Sequence, residues 1–137
     1  MEVNEKIMSH FTHMTTSFQN LFYLQKALNK LQIEFKLKQI KTEHSNSSHV
    51  NLIISQSNNS NIEFCWNAHE YELVLDVSLW KQDSPIQSFI DRIAQQYAQE
   101  VVIGESQKIG FQPVKYQHNS DGSNILVLER WNNQNKF

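Results

Sequence analysis

Residues Ile62 to Trp80 read IEFCWNAHEYELVLDVSLW. Ile62, Phe64 and Trp66 alternate with Glu63, Cys65 and Asn67. Tyr71, Leu73, Leu75, Val77 and Leu79 alternate with Glu72, Val74, Asp76, Ser78 and Trp80. Alternation with period two is the pattern of a strand that buries one face. Two such runs around Asn67-Ala68-His69-Glu70 predict a β-hairpin. A loop at Asn67-Ala68 pairs Trp66 with His69; a loop at Ala68-His69 pairs Trp66 with Tyr71 and Phe64 with Leu73. Both keep the apolar residues on one face, and the sequence leaves both open. An odd loop without a bulge mixes the faces and is excluded. Asn accepts a positive φ more readily than Ala, so Asn67-Ala68 is a poorer tight turn than Asn-Gly.

The other face of this hairpin carries Glu63, Cys65, Glu70, Glu72 and Asp76, a mildly acidic set that is either solvated or covered by a partner. Trp80 falls on the same, non-core parity. An aromatic side chain there either covers an edge or anchors a partner.

Beyond Trp80 the period changes. Ser84-Pro85-Ile86-Gln87 reads as a capping box with a helix-starting proline. Ile86, Phe89, Ile90, Ile93, Tyr97 and Val101 form one helical stripe. The helix is expected from about residue 85 to between 103 and 109, with Gly104 weakening its last turns and Gly110 as its stop. Phe111 to Gln117 is a strand that Pro113 confines to an edge or to its first residues. Residues 119–123 form a turn, and Ile125 to Trp131 a last strand.

Upstream, His10 to Thr16 is a first strand. Ser17 or Asn20 caps a helix striped by Leu21, Leu24, Leu28 and Leu31. Ile33, Phe35 and Leu37 begin a second strand, and Val50 to Ser55 form a third. The order β-α-β-β-β-β-α-β-β gives an α+β fold: one largely antiparallel sheet of about seven strands with two helices packed on one face. Residues 1–7 are a flexible extension, 8–131 a single domain and 132–137 a frayed tail.

With 137 residues and a net charge of −2, the chain suits one domain. The charge argues against bulk electrostatic binding to nucleic acid or an anionic membrane. One cysteine excludes an intrachain disulfide and a cysteine-based zinc site. No apolar run has membrane-spanning length, so no membrane insertion is expected. Three glycines, with neither GxGxxG nor GxxxxGK, leave no phosphate-cradling loop. The start, MEVNEKIMSHF, lacks the apolar core of a signal peptide, and its two acids and lack of arginine suit a transit peptide poorly.

Catalytic motifs are equally absent. His10 and His13 point to opposite faces of a strand, which makes a poor metal pair. His44 and His49 sit in a polar loop over Thr42 to His49, His69 at the hairpin tip and His118 beside a turn; none has metal-ligand spacing. Cys65 has no basic neighbour in sequence, the usual condition of an inert thiol. Lys26, Lys30, Lys36, Lys38 and Lys41 form a basic stretch, read as a solvated face.

Several pieces coincide: MSHF at Met8–Phe11, WNAHEYELVLDVSLW at Trp66–Trp80, QQYA at Gln95–Ala98, GF at Gly110–Phe111, DGS at Asp121–Ser123 and LVLERW at Leu126–Trp131. Together they resemble a family of small proteins of algal plastid genomes and cyanobacteria called hypothetical chloroplast reading frame thirty-five. The resemblance runs from Met8 to Trp131. Ala68 stands where the family commonly has glycine, and Gln96 where it commonly has a basic residue. The resemblance implies a plastid location, which fits the missing transit peptide, and carries over no activity, cofactor or catalytic residue.

The expectation is a soluble, non-catalytic accessory protein of the plastid stroma. It binds a protein partner through Trp80, His69, Glu70, Glu72 and Asp76. The alternative is a small-molecule or metal-binding protein, or an enzyme, using Cys65 and His69 in a pocket between sheet and helix. No cofactor, metal or nucleic acid is expected.

Overall fold

The computed structural model describes residues 11–41 and 48–130. The expected extension, His10, His44, Trp131 and the tail lie outside them. The elements are β1 (Phe11–Thr15), α1 (Leu21–Lys30), β2 (Lys36–Lys41), β3 (Ser48–Ser55), β4 (Asn61–Trp66), β5 (Tyr71–Asp76), a 3-10 turn (Val77–Leu79), α2 (Ile86–Lys108), β6 (Phe111–His118) and β7 (Asn124–Arg130). Fold class and element order are those read from the sequence.

The seven strands form two antiparallel sheets rather than one. Five make a sheet of order β1-β5-β4-β3-β2, and among the described residues β6 pairs only with β7. Gly110, at φ 91, turns the chain back at the end of α2, and β6 returns against that helix. Pro113, which has no N–H to donate, sits at a register break between Pro113 and Lys115. Tyr116 and Leu126 of this hairpin line an open hollow with Gln95, Ala98 and Val102 of α2.

Alternation along the central strands sets the core. Leu52, Ile54, Ile62, Phe64, Tyr71, Leu73 and Leu75 are buried on one face. Tyr23, Leu24, Ala27 and Leu28 of α1 and Phe89, Ile93 and Tyr97 of α2 close over them in a single cluster. Burial of each large side chain contributes about 1.5–3 kcal/mol. The helices cross closely at Gly104, where a Cβ would come within 2.4 Å of the Tyr23 ring. Gly104 therefore serves helix contact, and α2 continues past it to Lys108.

Several local expectations shift by a few residues. Asn20 caps α1 by accepting from the Tyr23 N–H at 3.2 Å, and the Tyr97 hydroxyl accepts from the Gln19 and Asn20 N–H groups at 3.1 and 3.0 Å. Ile33 and Phe35 pack against the core ahead of β2 instead of lying within it. Ser84 does not cap α2: the N-cap is Pro85, without a side-chain bond. The Ser84 carbonyl instead accepts from Trp80 Nε1 at 2.8 Å. Among the described residues, no helix is long and apolar enough to cross a membrane.

Candidate functional site

The hairpin takes the register with Ala68 and His69 at its tip: Trp66 opposite Tyr71, Phe64 opposite Leu73. Ala68 alone of the tip residues has a positive φ, 84°, at the position where a tight turn of this kind favours glycine. Asn67 holds the turn. Its Oδ1 accepts from the His69 and Glu70 N–H groups, both at 2.9 Å, and its N–H donates to the Glu70 carbonyl at 3.0 Å.

With both helices on the core side, the opposite face of the sheet is left without a covering element among the described residues. The ladder registers assign its side chains. Phe11, His13 and Thr15 come from β1, and Glu72, Val74 and Asp76 from β5. Glu63 and Cys65 come from β4, Asn51 and Ile53 from β3, and Lys36 and Lys38 from β2. Part of this face is concave, a hollow of about 650 Å³ lined by Phe11, His13, Asn61, Glu63, Asp76 and Leu79.

Its carboxylates are fixed by neighbours. Glu72 accepts from Asn67 Nδ2 at 3.1 Å and meets His13 Nδ1 at 3.2 Å. The Asn67 bond, then the His13 contact, hold its pKa below the usual carboxylate value. Asp76 accepts from the Ser78 N–H at 3.0 Å and the Ser78 hydroxyl at 2.6 Å. Glu63 accepts from Cys65 Sγ at 3.1 Å and from Asn51 Nδ2 at 3.4 Å. Asn51 is buried, and its Oδ1 takes the Trp66 N–H at 3.1 Å.

The residues singled out from sequence thus separate. Glu72 and Asp76 share the uncovered face. His69 and Glu70 sit at the tip, His69 exposed. Trp80 goes elsewhere, because β5 ends at Asp76 and its parity does not extend to residue 80. The Asp76 cap on Ser78 starts the 3-10 turn, which carries Trp80 against Phe89, ring centroids 5.2 Å apart at 80°. Buried Gln56 ties this turn down. Its Nε2 donates to the Leu79 carbonyl at 3.2 Å, and its Oε1 accepts from the Lys81 N–H at 2.7 Å. Sequence reading missed Gln56, Asn51 and His13 as organising residues; polar side chains in turns and strands give no periodic signal.

Cys65 lies on the uncovered face, not between sheet and helix. Burial first, then Glu63, push its thiol up to about 12. That is the reverse of the electropositive setting that makes a thiolate. No hydrogen bond joins Cys65 to His69. Among the described residues, no group of three or more His, Cys, Asp or Glu side chains is placed to hold a metal ion.

A family described as Protein of unknown function (DUF1257) matches residues 27–127. Uncharacterized protein ycf35 of Trieres chinensis is 59% identical over 124 residues, covering 88% of this chain and 97% of its own length. The proteins of the same name in Pyropia yezoensis and Cyanophora paradoxa are 38% and 34% identical, covering 91% and 90% of this chain and 99% and 98% of their own lengths. No solved structure gives a significant match. On this identity and coverage the chain belongs to the ycf35 family, whose name is that of a plastid gene in algae.

Proposed function

We propose that this protein is a non-catalytic accessory protein of the plastid stroma that works by docking a protein partner. The docking surface comprises the hairpin tip, with His69 and Glu70, and the adjoining uncovered face, with Glu72 and Asp76. Trp80 lies off this face, packed on Phe89, and supports the turn that ends β5. One observation carries this reading: both helices cover the same side of the five-stranded sheet, which leaves a broad, structured polar face on the other. Side chains held by neighbouring hydrogen bonds lose little freedom on docking, so such a face binds at low entropic cost.

Affinity isolation from plastid stroma tests it, comparing a tagged wild type with His69→Ala/Glu70→Ala and with Trp80→Ala. The tip variant is expected to lose the co-isolated protein while melting as the wild type does. Trp80→Ala is expected to weaken recovery through loss of the 77–80 turn. A partner recovered equally by all three would sink this surface.

A further inference from the structure

The charges of the uncovered face are segregated by strand. The acidic side chains stand on β4 and β5, and Lys36 and Lys38 stand on β2, both exposed. The registers align them in rows. Lys38 pairs with Asn51 and Cys65 with Glu72; the Leu52–Phe64 pair extends by one residue to Asn51–Cys65. One row therefore runs Lys38, Asn51, Cys65, Glu72. The next runs Lys36, Ile53, Glu63, Val74. The field of Lys38 at the Cys65 thiol fits this placement. Within one chain Lys38 and Glu72 are three strand spacings apart, about 14 Å, too far to pair.

We infer that this face pairs with the same face of a second copy, Lys38 of each chain meeting Glu72 of the other. The inference rests on the reading of the face as a docking surface and names its first occupant. A two-fold contact requires a patch complementary to itself. An axis parallel to the strands, between β3 and β4, lays β2 of one chain over β5 of its partner and keeps each row in register. Cation then faces anion twice by symmetry. Lys36 comes over Val74, between Glu72 and Asp76. Aligned sheets pack about 10 Å apart, within reach of a lysine and a glutamate side chain extended toward each other. Partly buried Ile53 and Cys65, on the two strands that flank the axis, supply the apolar middle. Glu72 is held in place by Asn67 and His13, so each Lys38 reaches toward a fixed carboxylate, and Glu63 is folded laterally onto Asn51 and Cys65. The edge is the poorer route to a dimer, because Lys36, Lys38 and Lys41 guard β2. The tip at residues 67–70 extends past the paired rows and stays open to the stromal partner.

Two charge-reversed variants decide the matter: Lys36→Glu/Lys38→Glu, acidic throughout, and Glu72→Lys/Asp76→Lys, basic throughout. Sedimentation equilibrium of the wild type is expected to show a monomer–dimer equilibrium that weakens with salt. Each variant alone is expected to lose about a hundredfold or more in self-association, as like charges are brought together. An equimolar mixture restores complementarity on both sides of the axis and is expected to give heterodimers. Rescue on mixing also shows that both variants remain folded. A wild type that stays monomeric up to its solubility limit, or a dimer that neither variant weakens, overturns the inference. A monomer that still recovers a stromal protein through its tip overturns self-pairing alone and leaves the accessory function standing.

Discussion

The two faces of the central sheet are built from alternate residues of the same strands, and they are put to opposite uses. Phe64, Leu73 and Leu75 point to one side and are sealed by the helices. Glu63, Glu72, Val74 and Asp76 point to the other, only partly buried. Core positions are interchangeable in chemistry but constrained in volume. The outer positions are constrained in chemistry, since each carboxylate is matched to a named donor: Asn67 and His13, Ser78, or Cys65 and Asn51. One face stores the stability and the other presents the surface, so substitutions on the two should separate cleanly.

The largest separation is in unfolding free energy. Phe64→Ala is expected to cost about 3–5 kcal/mol, and Val74→Ala, one strand away on the outer face, under about 1 kcal/mol. Chemical denaturation of both checks this, and equal losses would break the contrast. Next comes the layer above the core. Gly104→Ala drives a methyl into the Tyr23 ring, whose hydroxyl is tied to Glu105 at 2.7 Å. A net loss of about 1–2 kcal/mol is expected after the gain in helix propensity. In a Tyr23→Ala background the same change should stabilise by about 1 kcal/mol.

The hairpin tip gives a smaller effect of opposite sign. Ala68 holds φ 84, so Ala68→Gly relieves strain that exceeds the extra chain entropy of glycine. A rise of about 0.5–1 kcal/mol is expected by thermal unfolding.

On the outer face the effect shows as pH dependence. Glu72 titrates below its free value of 4.5, through Asn67 first and His13 second. Its contribution is complete above that value and is lost as pH falls through the folded pKa. The wild type should therefore lose its advantage over Glu72→Gln only on the acid side of about pH 4.5, in melts read across the acid range. Cys65 tests the same face without changing stability. A thiol moved from 9.0 to about 12 has about a thousandfold less thiolate at neutral pH. Alkylation of the native protein at neutral pH should therefore be slower than that of the denatured chain.

Much of the fold was legible because burial writes a period into the sequence. Period two from Ile62 to Leu75 located the hairpin and its inward residues. The stripe Phe89–Ile93–Tyr97 located the long helix. Alternation beyond Asp76 misled: Val77 and Leu79 continue the pattern by coincidence, and the Asp76–Ser78 cap ends the strand where no hydropathy rule marks an end. The separate β6–β7 sheet was hidden for another reason. Its strands lack the clean alternation of the central ones, β6 being exposed along most of its length and β7 reading Ile-Leu-Val-Leu, and the turn at Gly110 directs them onto the helix. The candidate surface was half legible. Glu72 and Asp76 followed from parity, whereas the His13 contact depends on β1 entering beside β5, a pairing across 59 residues that local sequence does not encode. The row joining Lys38 to Glu72 needs the full strand order.

The most direct test of the docking face is the native mass of the protein released gently from its plastid, with the wild type run beside Glu72→Lys/Asp76→Lys. The wild type should run above the mass of one subunit, and the reversed variant should shift toward a single subunit while keeping a folded circular-dichroism spectrum. Identical mass distributions for the two would contradict the account, because the face would then be carrying no partner.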